Sequence, residues 1–231
     1  EEIKGVIEYN NVCFSYPKSK SMVLDDISFK IKQGETIAIV GATGCGKSTL
    51  VNLMIRMYDT TSGSVLIDGV DVKDYKLVEL RDKISLVLQK SELFNVSIKE
   101  NILWGNQDAT MEEVIEASKI AQAYDFIMEK PSGFDEIVEQ KGASLSGGQK
   151  QRLSIARAII KKPEIIIFDD STSALDLVTE AKLYNALNDY LKDTTKIVVA
   201  QRIATAKNAD KIIVLDNAKV VAFDTHENLM R

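Results

Sequence analysis

Residues Gly41–Ser48 read G-A-T-G-C-G-K-S, an instance of the pattern G-x-x-x-x-G-K-[ST]. A short apolar run, Thr36–Val40, precedes it and reads as a buried strand; a helical stretch, Thr49–Met57, follows. Strand, glycine-rich loop and helix in this order is a narrow constraint. The glycines let backbone amides wrap an anion, and the helix N-terminus adds positive potential. Gly41, Ala42, Thr43, Gly44, Cys45, Gly46, Lys47, Ser48 and Thr49 are therefore candidate phosphate-binding residues. Lys47 would reach the β- and γ-phosphates and Ser48 would hold Mg²⁺. The plainer alternative, a turn that only joins strand to helix, leaves the anchor residues in this context unexplained. The loop implies a nucleoside triphosphate, without saying what its energy is used for.

The chain has 231 residues, enough for one large domain or two small ones and for a substantial core. Its 45% hydrophobic and 27% charged content is that of a soluble globule. A net charge of −5 speaks against a nucleic-acid partner held by bulk electrostatics. Cys13 and Cys45 are the two cysteines, and Cys45 lies inside the glycine-rich loop. That placement speaks against a structural disulfide and for a reducing compartment. The single histidine, His226, reads as a surface or helix-start residue, so a zinc site is not expected. No segment approaches the ~18–20 apolar residues of a membrane span, and no signal peptide is visible. The expectation is a soluble domain cut from something larger.

Along the chain, Val6–Tyr9, Val12–Tyr16 and Ile27–Ile31 read as short strands, and Val65–Asp68 as a strand ending in a turn at Gly69. Thr110 and Glu113 make a capping box. Val114, Ala117, Ala121, Tyr124 and Met128 then recur at gaps of 3, 4, 3 and 4, one face of a helix. Residues 91–144 thus read as a mostly helical insertion between strand-rich halves. Ile165–Phe168, Ile197–Ala200 and Ile212–Leu215 are compact apolar strands separated by helical stretches, as a parallel sheet with covered faces requires. Asp216–Lys219 reads as a hairpin turn into Val220–Phe223.

Ile165–Asp169 is an apolar strand ending in a carboxylate, a weak signal alone and a strong one beside the phosphate loop. Leu145-Ser146-Gly147-Gly148-Gln149 is sharper. Ser146 and Gln149 form a capping box for a helix carrying Leu153, Ala156 and Ile160, but a cap needs no glycine pair. The pentapeptide matches the signature of the ATP-binding cassette family. Over essentially its whole length the chain resembles the nucleotide-binding domain of an ABC transporter of the exporter type. The resemblance implies an α/β fold: a P-loop NTPase (RecA-like) core, an antiparallel β subdomain, and a helical subdomain at about 91–144 inserted between Q-loop and signature. One such domain would span residues 1–231, with the transmembrane domain outside this chain.

The resemblance also assigns roles. Tyr16, in V-C-F-S-Y-P, would stack on the adenine of ATP, unless it is a plain strand-edge tyrosine. Asp169 would hold Mg²⁺, and Gln89, in L-V-L-Q, would touch Mg²⁺ and sense the γ-phosphate. The following S-E-L-F-N-V-S-I-K-E-N-I is similar to the segment that contacts transmembrane domains. Asp176, closing S-A-L-D, would belong to the D-loop that crosses to a partner. In the family two domains dimerise head to tail, and each ATP lies between one phosphate loop and the other domain's Ser146–Gln149 equivalent. Altering Ser146 or Gly148 would then spare nucleotide binding by this chain and cost hydrolysis at the partner's site. The implied location is the cytoplasmic face of a cell membrane, reached only through the transmembrane domain.

Two positions depart from the family pattern. Asp170 stands where the family has the catalytic Glu, and Gln201, in A-Q-R, stands where it has a His. Gln cannot carry a proton or a positive charge. Both changes together, with Lys47, Ser48, Asp169 and the signature intact, resemble the degenerate subunit of heterodimeric multidrug-type exporters. Such a subunit has a weak site of its own and completes the site of a different chain. A symmetric homodimeric exporter in which Asp170 suffices is the alternative, and a non-transport ABC ATPase lies further off. Val138–Gly142 also departs from the exporter pattern, and no role is carried over to it.

Overall fold

The computed structural model describes residues 4–90, 92–139 and 145–231. The boundary residues Ser91 and Ser144 of the expected insertion, and Gln140–Gly142, lie outside them. In chain order the elements are β1 (Ile7–Phe14), β2 (Leu24–Ile31), β3 (Thr36–Gly41), α1 (Lys47–Met54), β4 (Ser62–Ile67), β5 (Val70–Asp71) and α2 (Leu77–Lys83). There follow β6 (Ile84–Leu88), α3 (Ile98–Leu103), α4 (Met111–Ile120), α5 (Tyr124–Met128), α6 (Gly147–Ile160), β7 (Ile165–Asp169) and α7 (Leu177–Tyr190). The chain closes with β8 (Thr195–Val199), α8 (Ile203–Ala206), β9 (Lys211–Asp216), β10 (Lys219–Asp224) and α9 (His226–Leu229). These elements form two compact units. One comprises the chain up to Ile84 together with Asp193–Arg231, the other Ser85–Lys192.

The first unit contains an antiparallel sheet in the order β2-β1-β4-β5. It also holds the run β10-β9-β3-β8, in which β3 is parallel to both β8 and β9 while β10 returns antiparallel on β9. The hairpin turn expected at 216–219 is present. Asn217 and Ala218 both have positive φ, 47° and 66°, the type I′ geometry whose twist suits a two-residue hairpin. The two runs read as separate strands, Val6–Tyr9 and Val12–Tyr16, are one bulged strand. The β1–β2 register shifts twice, where Asn11 takes φ 46° and Asp26 takes φ 51°, and the Asn11 side-chain amide donates to the Asp26 carboxylate at 2.8 Å. Alternation alone cannot show such a bulge, because the inserted residue resets the period.

Helix α1 packs against β3 and β4 and buries Leu50, Val51, Leu53 and Met54. It ends earlier than its apolar pattern, at Met54. Arg56 turns left-handed at φ 53°, Arg56 N donates to Leu53 O, and Met57 N donates to Asn52 O, the paired bonds of a Schellman stop. Tyr9, fully buried, stacks on Phe29 at 4.5 Å between ring centroids and donates its hydroxyl to the Leu50 carbonyl. This bond ties the antiparallel sheet to the helix that follows the glycine-rich loop. Burial pushes the Tyr9 phenol well above its usual range, so it stays a neutral donor.

The second unit is organised around α6, which packs against α3 and α4 and buries Leu153, Ile155, Ala156, Ile159 and Ile160. Strands β6 and β7 lie side by side. The capping box expected at Thr110 and Glu113 is formed in both directions. The single helical face expected from Val114 to Met128 is broken. Gln122 turns left-handed at φ 61° and Ala123 N donates to Ser118 O, a second Schellman stop. The separate helix α5 buries Phe126 and Ile127 and leaves Met128 exposed. Among the described residues no helix is long and apolar enough to cross a membrane.

Replacing Tyr9 with Phe removes only the hydroxyl held by Leu50. The free energy of unfolding of the chain should fall by about 1 kcal/mol, the net worth of one such bond. Urea denaturation measures it, and an unchanged midpoint would show that the bond to α1 contributes nothing.

Candidate functional site

The glycine-rich loop leaves β3 at Gly41 and enters α1 at Lys47. Gly46 holds the helix N-cap at φ 101°, a conformation that other residues avoid, and no side chain caps this helix. The first-turn amides of α1 are thus offered to whatever the loop encloses. Ala42, Thr43 and Gly44 are exposed, Cys45 is half-buried, and Ser48 is exposed at the second helical position. Lys47 is buried and its Nζ donates to the Gly41 carbonyl, which folds the cation over the loop. Cys13 and Cys45 are free thiols.

Tyr16 lies just beyond the end of β1, half-buried, in an aromatic group with Phe14 and Tyr58. Its ring meets both edge-on, at 4.9 and 5.2 Å between centroids. Its hydroxyl is 2.6 Å from Thr49 Oγ1, so the tyrosine is tied to the first turn of α1. The structure therefore places Tyr16 beside the first turn of α1, next to the phosphate loop. Tyr58, part of the same group and 39% exposed, is a residue that motif reading passed over.

In the second unit Gln89 follows β6 and is exposed, while Asp169 ends β7 half-buried. Asp170, immediately after, has φ 52°. Asp tolerates the left-handed region better than a longer side chain does, so the backbone here suits the shorter acid that the sequence carries. In the first unit Gln201 is exposed directly after β8 and Ala200. Among the described residues no three His, Cys, Asp or Glu side chains cluster into a metal cage. The candidate ligands Ser48, Gln89 and Asp169 are all oxygen donors. Oxygen is the donor that Mg²⁺ prefers, and this ion keeps several waters and takes further ligands from substrate phosphates.

The signature residues open α6. The capping box is complete: Gln149 N donates to Ser146 Oγ at 3.1 Å, and Ser146 N donates to Gln149 Oε1 at 3.0 Å. Ser146 and Gly147 are exposed. Arg152, one turn on, donates from Nε to the Gly148 carbonyl and from Nη1 to the Gln122 carbonyl at 2.9 Å, with its guanidinium 4.8 Å from the Phe126 ring centre. Asp176 caps α7, accepting from Thr179 N at 2.8 Å and Thr179 Oγ1 at 2.9 Å. The Thr179 amide, then its hydroxyl, holds this carboxyl below the usual carboxylate range.

The two signature glycines differ. A Cβ on Gly147 would meet only the Ala174 Cβ, at 3.8 Å. One on Gly148 would lie 2.9 Å from the Ala174 carbonyl oxygen. Gly148 therefore has a packing role within this chain, where its missing side chain admits the Ala174 carbonyl. Gln151 and Arg152 were also passed over. Both are polar residues in a helix whose apolar period points elsewhere, and only packing shows that Gln151 is buried.

A family model for the ABC transporter matches residues 24–173. A protein of Bacillus subtilis named "Putative multidrug export ATP-binding/permease protein YgaD" is 49% identical over 230 residues, covering all of this chain and 40% of the relative. A protein of the same description from Staphylococcus aureus is 50% identical over 230 residues, again over 40% of its length. Among solved structures, a bacterial Atm1-family ABC exporter with ATP bound superposes with a TM-score of 0.93 at 38% identity, covering 99% of this chain and 40% of that one. The chain thus spans about 40% of the length of the relatives it matches.

Gly148→Ala should destabilise the chain by about 1–3 kcal/mol through overpacking, despite the better helix propensity of Ala. Gly147→Ala should be neutral or slightly stabilising. Chemical denaturation of the two variants decides it, and equal stabilities would show that the Ala174 carbonyl yields without cost.

Proposed function

The chain is a member of the ABC transporter family, and from that premise we propose that it binds MgATP and pairs head to tail with a second nucleotide-binding domain, on a different chain, to drive multidrug export across a membrane. Its own site hydrolyses ATP poorly and its signature completes the partner's site. ATP contacts the loop Gly41–Thr49, with Tyr16 on adenine; Mg²⁺ takes Ser48, Gln89 and Asp169; Asp170 and Gln201 stand at the catalytic positions. The observation that carries nucleotide binding is the helix α1, whose first turn no side chain caps and whose first residue, Lys47, folds its cation over the glycine-rich loop.

Three further observations support the rest of this reading. The relatives are named for multidrug export and extend well beyond the matched length. Ser146 and Gly147 are exposed at the start of α6. Their capping box consumes the Gln149 amide and leaves the helix dipole directed outward, suited to a phosphate brought by another chain. The second unit also has a cavity of about 560 Å³ lined by Leu88, Lys90, Phe94, Trp104, Arg157 and Lys161. Phe94 and Trp104 are 42% and 60% exposed with ring centroids 4.5 Å apart, a surface suited to transmembrane-domain contact beside the Q-loop.

The weak-site reading rests on Asp170 and Gln201. A reacting group displaced by roughly 1 Å can cost about 10²-fold in rate, and Gln supplies neither proton nor charge. The test is the assembled transporter with the partner's catalytic carboxylate removed, so that residual turnover reports this chain's site. Asp170→Glu and Gln201→His should together raise that turnover by more than the product of their separate effects, because they serve one water. Lys47→Ala should weaken nucleotide binding, measured by calorimetry, without unfolding the chain. Brisk turnover at the unmodified site, or assembly with a second identical copy, would overturn the degenerate role in favour of a symmetric exporter.

A further inference from the structure

The side chain of Gln151 is 4% exposed, on the second turn of α6. Both ends of its amide are engaged. Nε2 donates to the Gln89 carbonyl at 3.2 Å, and Oε1 accepts from the Ala174 amide at 3.1 Å. The amide can lie only one way, because a carbonyl can only accept and a backbone N–H can only donate. Its partners are main-chain atoms of two segments outside regular structure, one following β6 and one preceding α7. All three residues belong to the unit 85–192.

Two neighbouring features tighten this arrangement. Gly148, one turn back on α6, lets the Ala174 carbonyl come so close that a Cβ would sit 2.9 Å from it. Ala174 is thus held through both its amide and its carbonyl side by the first two turns of one helix. Two residues on, Asp176 fixes the start of α7 through Thr179. A displacement of the Gln89 backbone therefore has a direct mechanical path through one side-chain amide to Ala174 and the segment that ends at Asp176.

We propose that Gln151 is a positioning residue that couples the Q-loop backbone at Gln89 to the D-loop backbone at Ala174, so that nucleotide occupancy sensed at Gln89 sets the position of the segment presented to the partner domain. The inference rests on the MgATP reading above. Gln151 touches neither nucleotide nor metal; it acts through the two loops that it joins. A purely packing role predicts that an apolar residue of the same volume suffices. A coupling role predicts that both bonds are required.

The test uses the full transporter with Gln151→Met, which keeps volume and removes both bonds, and Gln151→Glu, which keeps the acceptor for Ala174 and sets a carboxylate against the Gln89 carbonyl. Both should lower kcat for ATP about tenfold, the scale of one buried hydrogen bond. KM for ATP and the thermal midpoint should stay close to wild type, since the phosphate loop is untouched. Hydrogen exchange adds a readout that needs no turnover. MgATP should change exchange at the Ala174 amide in the wild type, and exchange there should be fast and indifferent to MgATP in Gln151→Met. Wild-type kcat in Gln151→Met, full recovery in Gln151→Glu, or a fall in kcat matched by loss of folded protein would each overturn the coupling role and leave the MgATP reading intact. A wild-type complex that binds no MgATP would overturn both.

Discussion

Helix α1 begins on a glycine. Because Gly46 can hold φ 101° and brings no side chain, the first-turn amides of the helix are left for a ligand, and the rest of the first unit is arranged to keep that helix in place. The parallel pairs on either side of β3 fix where the loop starts. The Tyr9 hydroxyl anchors α1 from the antiparallel sheet, and the Tyr16 hydroxyl anchors its first turn at Thr49. A helix end with no side-chain cap leaves its amides to water or to an anion, and this is the physical basis for assigning a nucleotide phosphate to it.

The second unit treats its helix start differently. At α6 the capping box closes locally, and the special feature is what approaches the helix from its side. Gly148 admits the Ala174 carbonyl, Gln151 binds two loops, and Arg152 reaches back to Gln122, the residue at which α4 is stopped. The segment Ser146–Arg152 is thus a hub within its own unit, beside the partner-facing role proposed for it. The two demands meet on adjacent glycines, of which Gly147 faces outward and Gly148 faces the D-loop.

Asp170 shows how local backbone and chemistry converge. Its left-handed conformation is tolerable for Asp, and its carboxylate is one methylene shorter than that of the Glu it resembles in position. Together with Gln201, which can carry neither a proton nor a positive charge, Asp170 is the residue on which the proposed weak turnover rests.

The phosphate loop, the Asp169 strand, the signature and its capping box were legible in the residues because each is a local pattern whose chemistry depends on neighbours a few positions apart. The strands of the two sheets were largely legible for the same reason. The sequence could not show where elements stop or bulge. The ends of α1 and α4 are set by Arg56 and Gln122 in left-handed conformations that neither residue type advertises, and the merged strand β1 by register breaks at Asn11 and Asp26, which depend on the partner strand. Nor could it show that Gly148 and Gln151 serve Ala174. That contact joins residues more than twenty positions apart, and it exists only because folding brings a loop carbonyl against a helix face.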